Sequence, residues 1–462
     1  MIVMTPNIAL LGGSFNPPGL HHLEILRALR SQFSHVIVAP SGPRPDKAAT
    51  NDVSPLHRAF MVDLAFARMD GIEVDLSDLE ENSFTSADGW RNRFGPEKEV
   101  SFVVAAPFVA GGANRQSLIH KQWESGPRLW ETAHFTVLVN PGDKLNERDL
   151  PPRNFVCRIN SETFSTHIRL KVFNHESIAD LVTPTIADYI RRHGLYRGVV
   201  PGRETALQID DPHLLPIVDE RNAAAARLSR EFLSHFYSDD PNLMVVVGGD
   251  GTMLHAIRNH WRRRIPFYGI NTGHYGFLMN EREAGPFWQR ELVVHQLPLL
   301  LVETESLTGA ITRNYAFNDA WIERATGQTA WLRISINGEE RLNEVVADGA
   351  LVATAAGSSS YARAMGGPPV ACNTPVMLLV GSNVLRPDNW RPVVLPLASQ
   401  IEMASLDPEK RPLHAYIDGE SMGIVKSMRV RTSRIAGVEL AFSPDQDPAL
   451  KLTKIQFPSR KE

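Results

Sequence analysis

The chain has 462 residues, too many for one ordinary core, so two or three domains are expected. With 43% hydrophobic and 22% charged residues it has the composition of a soluble globular protein, and a net charge of -4 gives no electrostatic case for a nucleic-acid partner. Its two cysteines, Cys157 and Cys372, are too few for a disulfide framework or a zinc site and fit a reducing cytoplasm, where the chain is expected to work.

The first residues, Met1 to Leu11, lack the basic start and long apolar core of a secretory signal and read as a first strand. From Ile8 onward, short apolar runs alternate with helical patterns. Ile8 to Leu11 is a strand, Leu23, Leu26 and Leu29 stand at helical spacing, and Val36 to Ala39 is the next strand. Val100 to Ala105 and Phe135 to Val139 read as further buried strands, so a parallel sheet faced by helices is expected. The last helix of this half starts at Pro184 with Thr183 as its N-cap and ends at His193-Gly194. Val199 to Pro212 mixes Pro, Gly and acids and reads as a linker.

A second α/β stretch begins near Leu215, with strands at Leu243 to Val247 and Pro266 to Ile270. After about Leu297 short segments recur between turns: Trp331 to Ile336, Ala350 to Ala353, Val376 to Val380, Arg391 to Leu395, Gln400 to Met403 and Met428 to Val430. These predict an antiparallel β domain. Even the longest apolar runs, such as Leu297 to Val302, are far too short to span a membrane, and no membrane partner is expected.

The most informative segment is Gly248-Gly249-Asp250-Gly251-Thr252, between the apolar run Leu243 to Val247 and a helical pattern. A buried strand ending in a Gly-Gly turn brings backbone N–H groups close to a ligand, which cradles phosphate without a lysine. A phosphate cradle gains nothing from a carboxylate, so Asp250 is either a turn residue or a group that works on a proton or a sugar hydroxyl. No Gly-x-x-x-x-Gly-Lys-Ser/Thr occurs, which excludes a P-loop ATPase. Three further segments accompany the turn. They are Gly269-Ile270-Asn271-Thr272-Gly273-His274-Tyr275-Gly276-Phe277-Leu278, then Phe317-Asn318-Asp319, then Asp348-Gly349 through Gly357-Ser358-Ser359-Ser360-Tyr361 to Gly366-Gly367-Pro368.

Together these resemble the NAD kinase family from about Leu215 to the C-terminus; lipid kinases share only the Gly-Gly-Asp-Gly turn. The resemblance implies an α/β domain packed on a β-sandwich, with NAD at their junction. It makes Asp250 the catalytic aspartate near the adenosine 2'-hydroxyl. Gly248, Gly249, Gly251 and Thr252 face the ATP phosphates, which carry Mg2+. Asn318 and Asp319 then hold the adenosine end, and Asp348, Ser359 and Tyr361 lie around the nicotinamide side. The family's Thr-Pro-Thr-Gly-Ser-Thr-Ala-Tyr reads here Thr354-Ala355-Ala356-Gly357-Ser358-Ser359-Ser360-Tyr361. Asp418-Gly419 resembles a late turn of the family.

Gly12-Gly13-Ser14-Phe15-Asn16-Pro17 follows the first strand, and His22 stands at the start of the first helix. Later come Phe164-Ser165-Thr166-His167-Ile168-Arg169 and a closing Tyr189-Ile190 with His193-Gly194-Leu195-Tyr196. Between them lie Pro40-Ser41-Gly42-Pro43-Arg44-Pro45-Asp46-Lys47, Arg58 with Met61, and Ser83-Phe84-Thr85. These resemble the mononucleotide adenylyltransferases, which join ATP to nicotinate or nicotinamide mononucleotide, over about Ile8 to Tyr196. Carried over, Gly13, Ser14 and Phe15 hold phosphate by their main chain, and His22 donates to phosphates. Ser165, Thr166 and Arg169 take the β- and γ-phosphates at a helix N-terminus. Two departures stand out. The family's His/Thr-x-x-His reads Gly19-Leu20-His21-His22, and its Gly-Ser/Ala-Asp aligns with Ala105-Ala106-Pro107.

The expected architecture is α/β throughout. Residues 1–198 form a Rossmann-like nucleotidyltransferase domain and 199–214 a linker. Residues 215–295 form an NAD kinase α/β domain, to which the tail 436–462 returns, and 296–435 form a β-sandwich. The favoured function is a fusion of two consecutive steps, one making the dinucleotide and one phosphorylating it. The partners are ATP, NAD and a mononucleotide, and the resemblance implies a homo-oligomer. One alternative is an NAD kinase with a degenerate N-terminal nucleotide-binding domain. The other is a non-enzymatic nucleotide sensor, against which Asp250 and the Asn318-Asp319 pair argue.

Overall fold

The computed structural model describes residues 6–43, 53–95, 99–160, 164–198, 205–273, 276–282, 286–446, 448 and 451–453. Arg44 to Lys47 and the His274-Tyr275 pair, quoted above, lie outside them, as do residues 199–204 of the expected linker. The chain divides into two compact units, Met1–Arg203 and Glu204–Glu462.

In the first unit, strands β1 (Ile8–Gly13), β2 (His35–Pro40), β3 (Ile72–Val74), β4 (Val100–Ala105), β5 (His134–Val139) and β6 (Asn154–Arg158) form one sheet. All pairs are parallel, in the order β3-β2-β1-β4-β5-β6. The order reverses at β1 and β4, the switch point beyond whose strand ends open α/β sheets take ligands. The helices are α1 (Leu20–Arg30), α2 (Pro55–Phe66), α3 (Ser77–Glu80), α4 (Ala87–Phe94), α5 (Leu118–Gln122), α6 (Gly126–Thr132), α7 (Ser165–Phe173) and α8 (Pro184–Arg192). The Thr183 hydroxyl accepts from Ile186 N at 3.4 Å, with Pro184 in the first turn, as the cap signal predicts. Phe60 and Met61 of α2, Ile168 and Val172 of α7, and Ile186 and Ile190 of α8 share one buried cluster. Each such side chain is worth roughly 1.5–3 kcal/mol of burial. That cluster fixes α7 against α2 and α8, and Ser165 and Arg169 bond it to the Asn16-Pro17 turn.

The second unit begins with β7 (Ala206–Leu207) and β8 (Leu214–Val218), so the described part of the expected linker, residues 205–214, carries strand structure. Helix α9 (Ala223–Glu231), β9 (Leu243–Gly248), α10 (Asp250–His260) and β10 (Phe267–Asn271) follow. The β strands then run on as β11 (Leu292–Glu305), β12 (Ile311–Ala316), β13 (Asp319–Arg324), β14 (Ala330–Ile336), β15 (Glu339–Ala347) and β16 (Gly349–Thr354). After the short helix α11 (Tyr361–Ala364) come β17 (Val376–Ser382), β18 (Val393–Pro396), β19 (Gln400–Ser405), β20 (Leu413–Ile417), β21 (Glu420–Val425) and β22 (Ser427–Phe442).

The α/β part and the sandwich are joined by a shared strand. β22 pairs antiparallel with β19 through Gln400↔Arg431 to Ala404↔Ser427, and parallel with β10 at Phe267↔Leu440 and Tyr268↔Ala441. It can serve both because its pairing with β11 shifts register between Pro298 and Leu300, where the Ser433 hydroxyl accepts from Ile435 N and Ala436 N. The second sheet, β18-β17-β16-β13-β20-β21, is antiparallel and packs on the first. Ala320, Ile322, Val352, Leu379 and Ala415 meet Leu300, Val302, Leu332, Ile334 and Met428 in a fully buried core. Among the described residues no helix is long and apolar enough to cross a membrane.

Candidate functional site

In the second unit the chemistry gathers where β9 ends. β9 is buried along its length between β8 and β10 and delivers Gly248-Gly249 to the N-terminus of α10. Gly248 is required from within, since a Cβ there would lie 2.3 Å from Thr252 Oγ1. Thr252 in turn accepts from Gly249 N at 3.5 Å, a long cap contact. Gly249 and Gly251 differ: a Cβ on either meets no atom of the described residues within 4 Å, and neither has a positive φ. Neither packing nor backbone conformation demands glycine there, which leaves close approach of an external group as the physical reason.

Asp250 is the first residue of α10. Its carboxylate accepts from Phe277 N at 2.9 Å and Leu278 N at 3.0 Å. Burial pushes its carboxyl above the usual range, against the opposing pull of these two amides and of the Lys451 ammonium. Lys451 is itself buried, donates to Met279 O and lies 4.9 Å from the centre of the Phe442 ring. Asn280, fully buried, ties the same segment to the sheet, donating to Gly269 O and Ala441 O and accepting from Ser443 N.

The Asn318-Asp319 turn is built by a residue from a hundred positions downstream. The Asp418 carboxylate accepts from Phe317 N at 2.7 Å, Asn318 N at 2.8 Å and Asp319 N at 3.1 Å. From the other side, Thr354 Oγ1 donates to Phe317 O at 2.7 Å, and Gly357 comes so close that a Cβ there would lie 2.2 Å from Asn318 O. Ser359, two residues on, is half-buried and its Oγ donates to Ala356 O at 3.4 Å. Asn318 Oδ1 is buried and without a hydrogen-bond partner among the described residues. Asp319 is 3% exposed, and its carboxyl is pushed up to about 7, mainly by burial and then by Asp418. Phe317, Ala356, Met253, Leu278 and Met279 share one buried cluster, so the segments that carry Asp250, Phe277 and Asn318 pack on one core.

Tyr361 is exposed and lies 5.0 Å from Trp321, which stacks on Tyr416. Asp348 is not part of this group. It sits beside Arg324 at the far end of β13, about 17 Å along the strand from Asp319 at ~3.4 Å per residue. Both of its oxygens are engaged, by Arg324 Nε at 2.6 Å and Asn383 Nδ2 at 2.7 Å, and these bonds hold its carboxyl below the usual range.

In the first unit, a cavity of about 500 Å3 is lined by Ser14, His21, His22, Ser165, Thr166 and Arg169, among others. It joins the two halves of the motif. Ser165 Oγ donates to Pro17 O at 2.8 Å and Arg169 Nη1 to Asn16 O at 2.6 Å. Phe15 has a positive φ of 45°, an uncommon conformation for a bulky residue, and its buried ring packs 4.9 Å from His22 and close against Gly13. Arg58, which is buried, clamps this turn through Ser14 O and Ser41 O. His22 Nδ1 accepts from Gly19 N at 3.1 Å, so the ring is the Nε2–H tautomer. Burial and the neighbouring His21 hold its pKa well below the ordinary value. Ala105 lines the cavity where the resemblance leads one to expect an acidic motif.

The ATP-NAD kinase N-terminal domain model matches residues 198–289 and the ATP-NAD kinase C-terminal domain model residues 317–434. The NAD kinase of Rickettsia bellii (strain OSU 85-389) is 36% identical over 221 residues, 47% of this chain and 87% of that protein. The NAD kinase of Rickettsia akari (strain Hartford) is 35% identical over the same shares. The chain belongs to the NAD kinase family.

It is accordingly a phosphotransferase, with a further domain ahead of the kinase. A cytidylyltransferase-like model matches residues 10–149, ending before Ser165 and Arg169. Among solved structures, yeast NADH kinase complexed with NADH gives a TM-score of 0.42 at 15% identity, covering 79% of this chain and 89% of that one. An Archaeoglobus fulgidus NAD kinase in complex with ATP gives 0.40 at 19%, covering 52% and 97%. For the kinase family fold, the residues that the sequence motifs left without a role are Asp418, Thr354 and Lys451. Thr354 carried a signal as the first residue of a family motif and the Asp418-Gly419 pair read as a turn, while Lys451 carried none.

Proposed function

We propose that the second unit transfers the γ-phosphoryl group of ATP to the adenosine 2'-hydroxyl of NAD, giving NADP. The observation that carries this is the half-buried Asp250 carboxylate at the start of α10, beside two glycines that no contact with the described residues requires. A ribose hydroxyl is a poor nucleophile. Asp250 takes its proton as the oxygen attacks the γ-phosphorus and the bond to ADP breaks, a contribution of about 100- to 10,000-fold. The backbone N–H groups at the start of α10 face the phosphates. Among the described residues there is no cluster of three or more acidic, histidine or cysteine side chains that would cage a metal. Mg2+ would arrive as part of the substrate, on the ATP phosphates. Asn318 and Asp319 hold the adenosine end, Asn318 Oδ1 gaining a partner it otherwise lacks, and Ser359 and Tyr361 lie toward the nicotinamide.

The Asp250→Asn variant tests this. Turnover falls at least about 100-fold while NAD still binds by calorimetry. Near-normal turnover would remove Asp250 from the chemistry. Because the amide also loses one of the two strap bonds, the affinity for NAD is measured separately from kcat.

For the first unit we infer adenylyl transfer. The phosphate of nicotinate or nicotinamide mononucleotide attacks the α-phosphorus of ATP, and pyrophosphate leaves. This needs alignment and charge stabilisation but no covalent enzyme group. The His22 Nε2–H, the Thr166 hydroxyl and the Arg169 guanidinium can donate to a triphosphate, while the Ser165 hydroxyl hydrogen is engaged by Pro17 O. A second reading, nucleotide binding without catalysis, is favoured by Ala105-Ala106-Pro107 at the place of an acidic motif. Products from each mononucleotide distinguish the two.

A further inference from the structure

In the first unit the His21 ring lies where a side chain on residue 19 would go. A Cβ at Gly19 would be 2.7 Å from His21 Nδ1, 2.8 Å from His21 Cε1 and 2.8 Å from Ile168 Cδ1. Glycine at 19 and histidine at 21 are therefore one arrangement: the imidazole takes the space that the missing side chain leaves. His21 is 8% exposed and lines the cavity. Its Nδ1 is buried with no hydrogen-bond partner among the described residues. A buried polar nitrogen left unpaired is costly, and such an atom beside a cavity is satisfied when a ligand supplies the partner.

The surrounding groups define that ligand. His22 stands 3.9 Å away, ring centre to ring centre, and with Nδ1 occupied by Gly19 N it offers only Nε2–H. Ser165, Thr166 and Arg169 complete the wall. The donors in its lining, His22 Nε2–H, the Thr166 hydroxyl and the Arg169 guanidinium, call for an acceptor-rich anion, and a polyphosphate chain fits the volume of about 500 Å3.

We propose that His21 donates a hydrogen bond to the polyphosphate of the nucleotide bound in the first unit, from the space that a side chain on residue 19 would fill. This rests on the adenylyl-transfer reading only for what the contact is used for. Burial holds the ring at a pKa of about 4, with Glu24 raising and His167 lowering it, so at neutral pH it is uncharged and carries one N–H.

The test is an exchange series in the full chain: His21→Gly, Gly19→His, and the two together. ATP binding is followed by calorimetry, the first-unit component being the one lost in Arg169→Ala. Phosphorylation of NAD by the second unit, together with thermal unfolding, checks that each variant is folded. His21→Gly weakens that component about 10- to 100-fold, and Gly19→His alone weakens it through the clash. The double exchange restores it to within about threefold of the parent chain. An affinity unchanged in His21→Gly would overturn the proposal, as would a folded double exchange that recovers nothing, or an isotherm that Arg169→Ala does not alter. Adenylyl transfer is assayed in parallel. If the parent chain forms no dinucleotide yet the affinity pattern holds, the catalytic reading fails while the His21 contact stands.

Discussion

Replacing Asp418 by asparagine tests how the nucleoside-facing turn is held. In the parent chain Oδ2 accepts from Phe317 N at 2.7 Å, and Oδ1 accepts from both Asn318 N and Asp319 N. An asparagine tolerates the left-handed φ of 47° at this position. Its oxygen keeps the two weaker partners, but its NH2 then faces the Phe317 N–H, donor against donor. Losing one buried charge-assisted bond costs about 1.5–3 kcal/mol, and making the other two neutral costs roughly 1 more. Removing a buried charge, which burial already disfavours here, returns on the order of 1–2 kcal/mol. The net loss is about 2 kcal/mol, which for a unit of this size lowers Tm by ~4–8 °C. The turn loosens with it, so the KM for NAD rises about tenfold with kcat little changed, because Asp250 is on another segment. Calorimetric unfolding and steady-state kinetics read both quantities. A Tm within about 1 °C of the parent, with KM unmoved, would mean that Thr354 and Gly357 hold the turn without Asp418. A fall in kcat alone would refute the positioning role.

Other outcomes follow from the same geometry. Asp319 is raised from its ordinary 3.8 to about 7 in the folded chain, so its burial costs nothing below pH 3.8 and progressively more as pH rises through 7. Asp319→Asn therefore unfolds at a higher temperature than the parent at pH 8, a gap on the order of 4 kcal/mol at most, and the gap closes toward pH 4. A pH-independent difference would contradict it. Gly357→Ala sets a methyl 2.2 Å from Asn318 O. Relieving it displaces the turn at a cost of about 1–3 kcal/mol, read as a raised KM for NAD and a lowered Tm; unaltered kinetics would place the turn elsewhere. Arg58→Lys cannot span Ser14 O and Ser41 O together. It weakens ATP binding in the first unit and leaves NAD phosphorylation intact, and an unchanged isotherm would remove Arg58 as the clamp of that loop.

Much of this was readable from local pattern. The strand, glycine turn and helix at 243–260 follow from an apolar run, a Gly-Gly break and helical spacing, and the α8 cap follows from Thr183-Pro184. The nonlocal parts had no such signal. Asp418 reads as one more Asp-Gly turn until the fold carries it across to three amides of Phe317 to Asp319. β22 could be recognised only in pieces, because its register change at Ser433 divides one long strand between two kinds of neighbour. Asp348 sits in a family motif, yet strand geometry carries it to the opposite end of β13 from Asp319. Gly19 looked like a lost polar residue; the three-dimensional reason for it is the His21 ring.

The most direct test of the account as a whole is product identification by mass spectrometry after incubating the chain with ATP, Mg2+ and nicotinamide mononucleotide, nicotinate mononucleotide or NAD in turn. The account predicts NADP from NAD, and a dinucleotide from at least one mononucleotide. NADP from NAD with no dinucleotide from either mononucleotide would contradict catalysis by the first unit and leave it a binding domain, and no NADP from NAD would contradict the role of Asp250 itself.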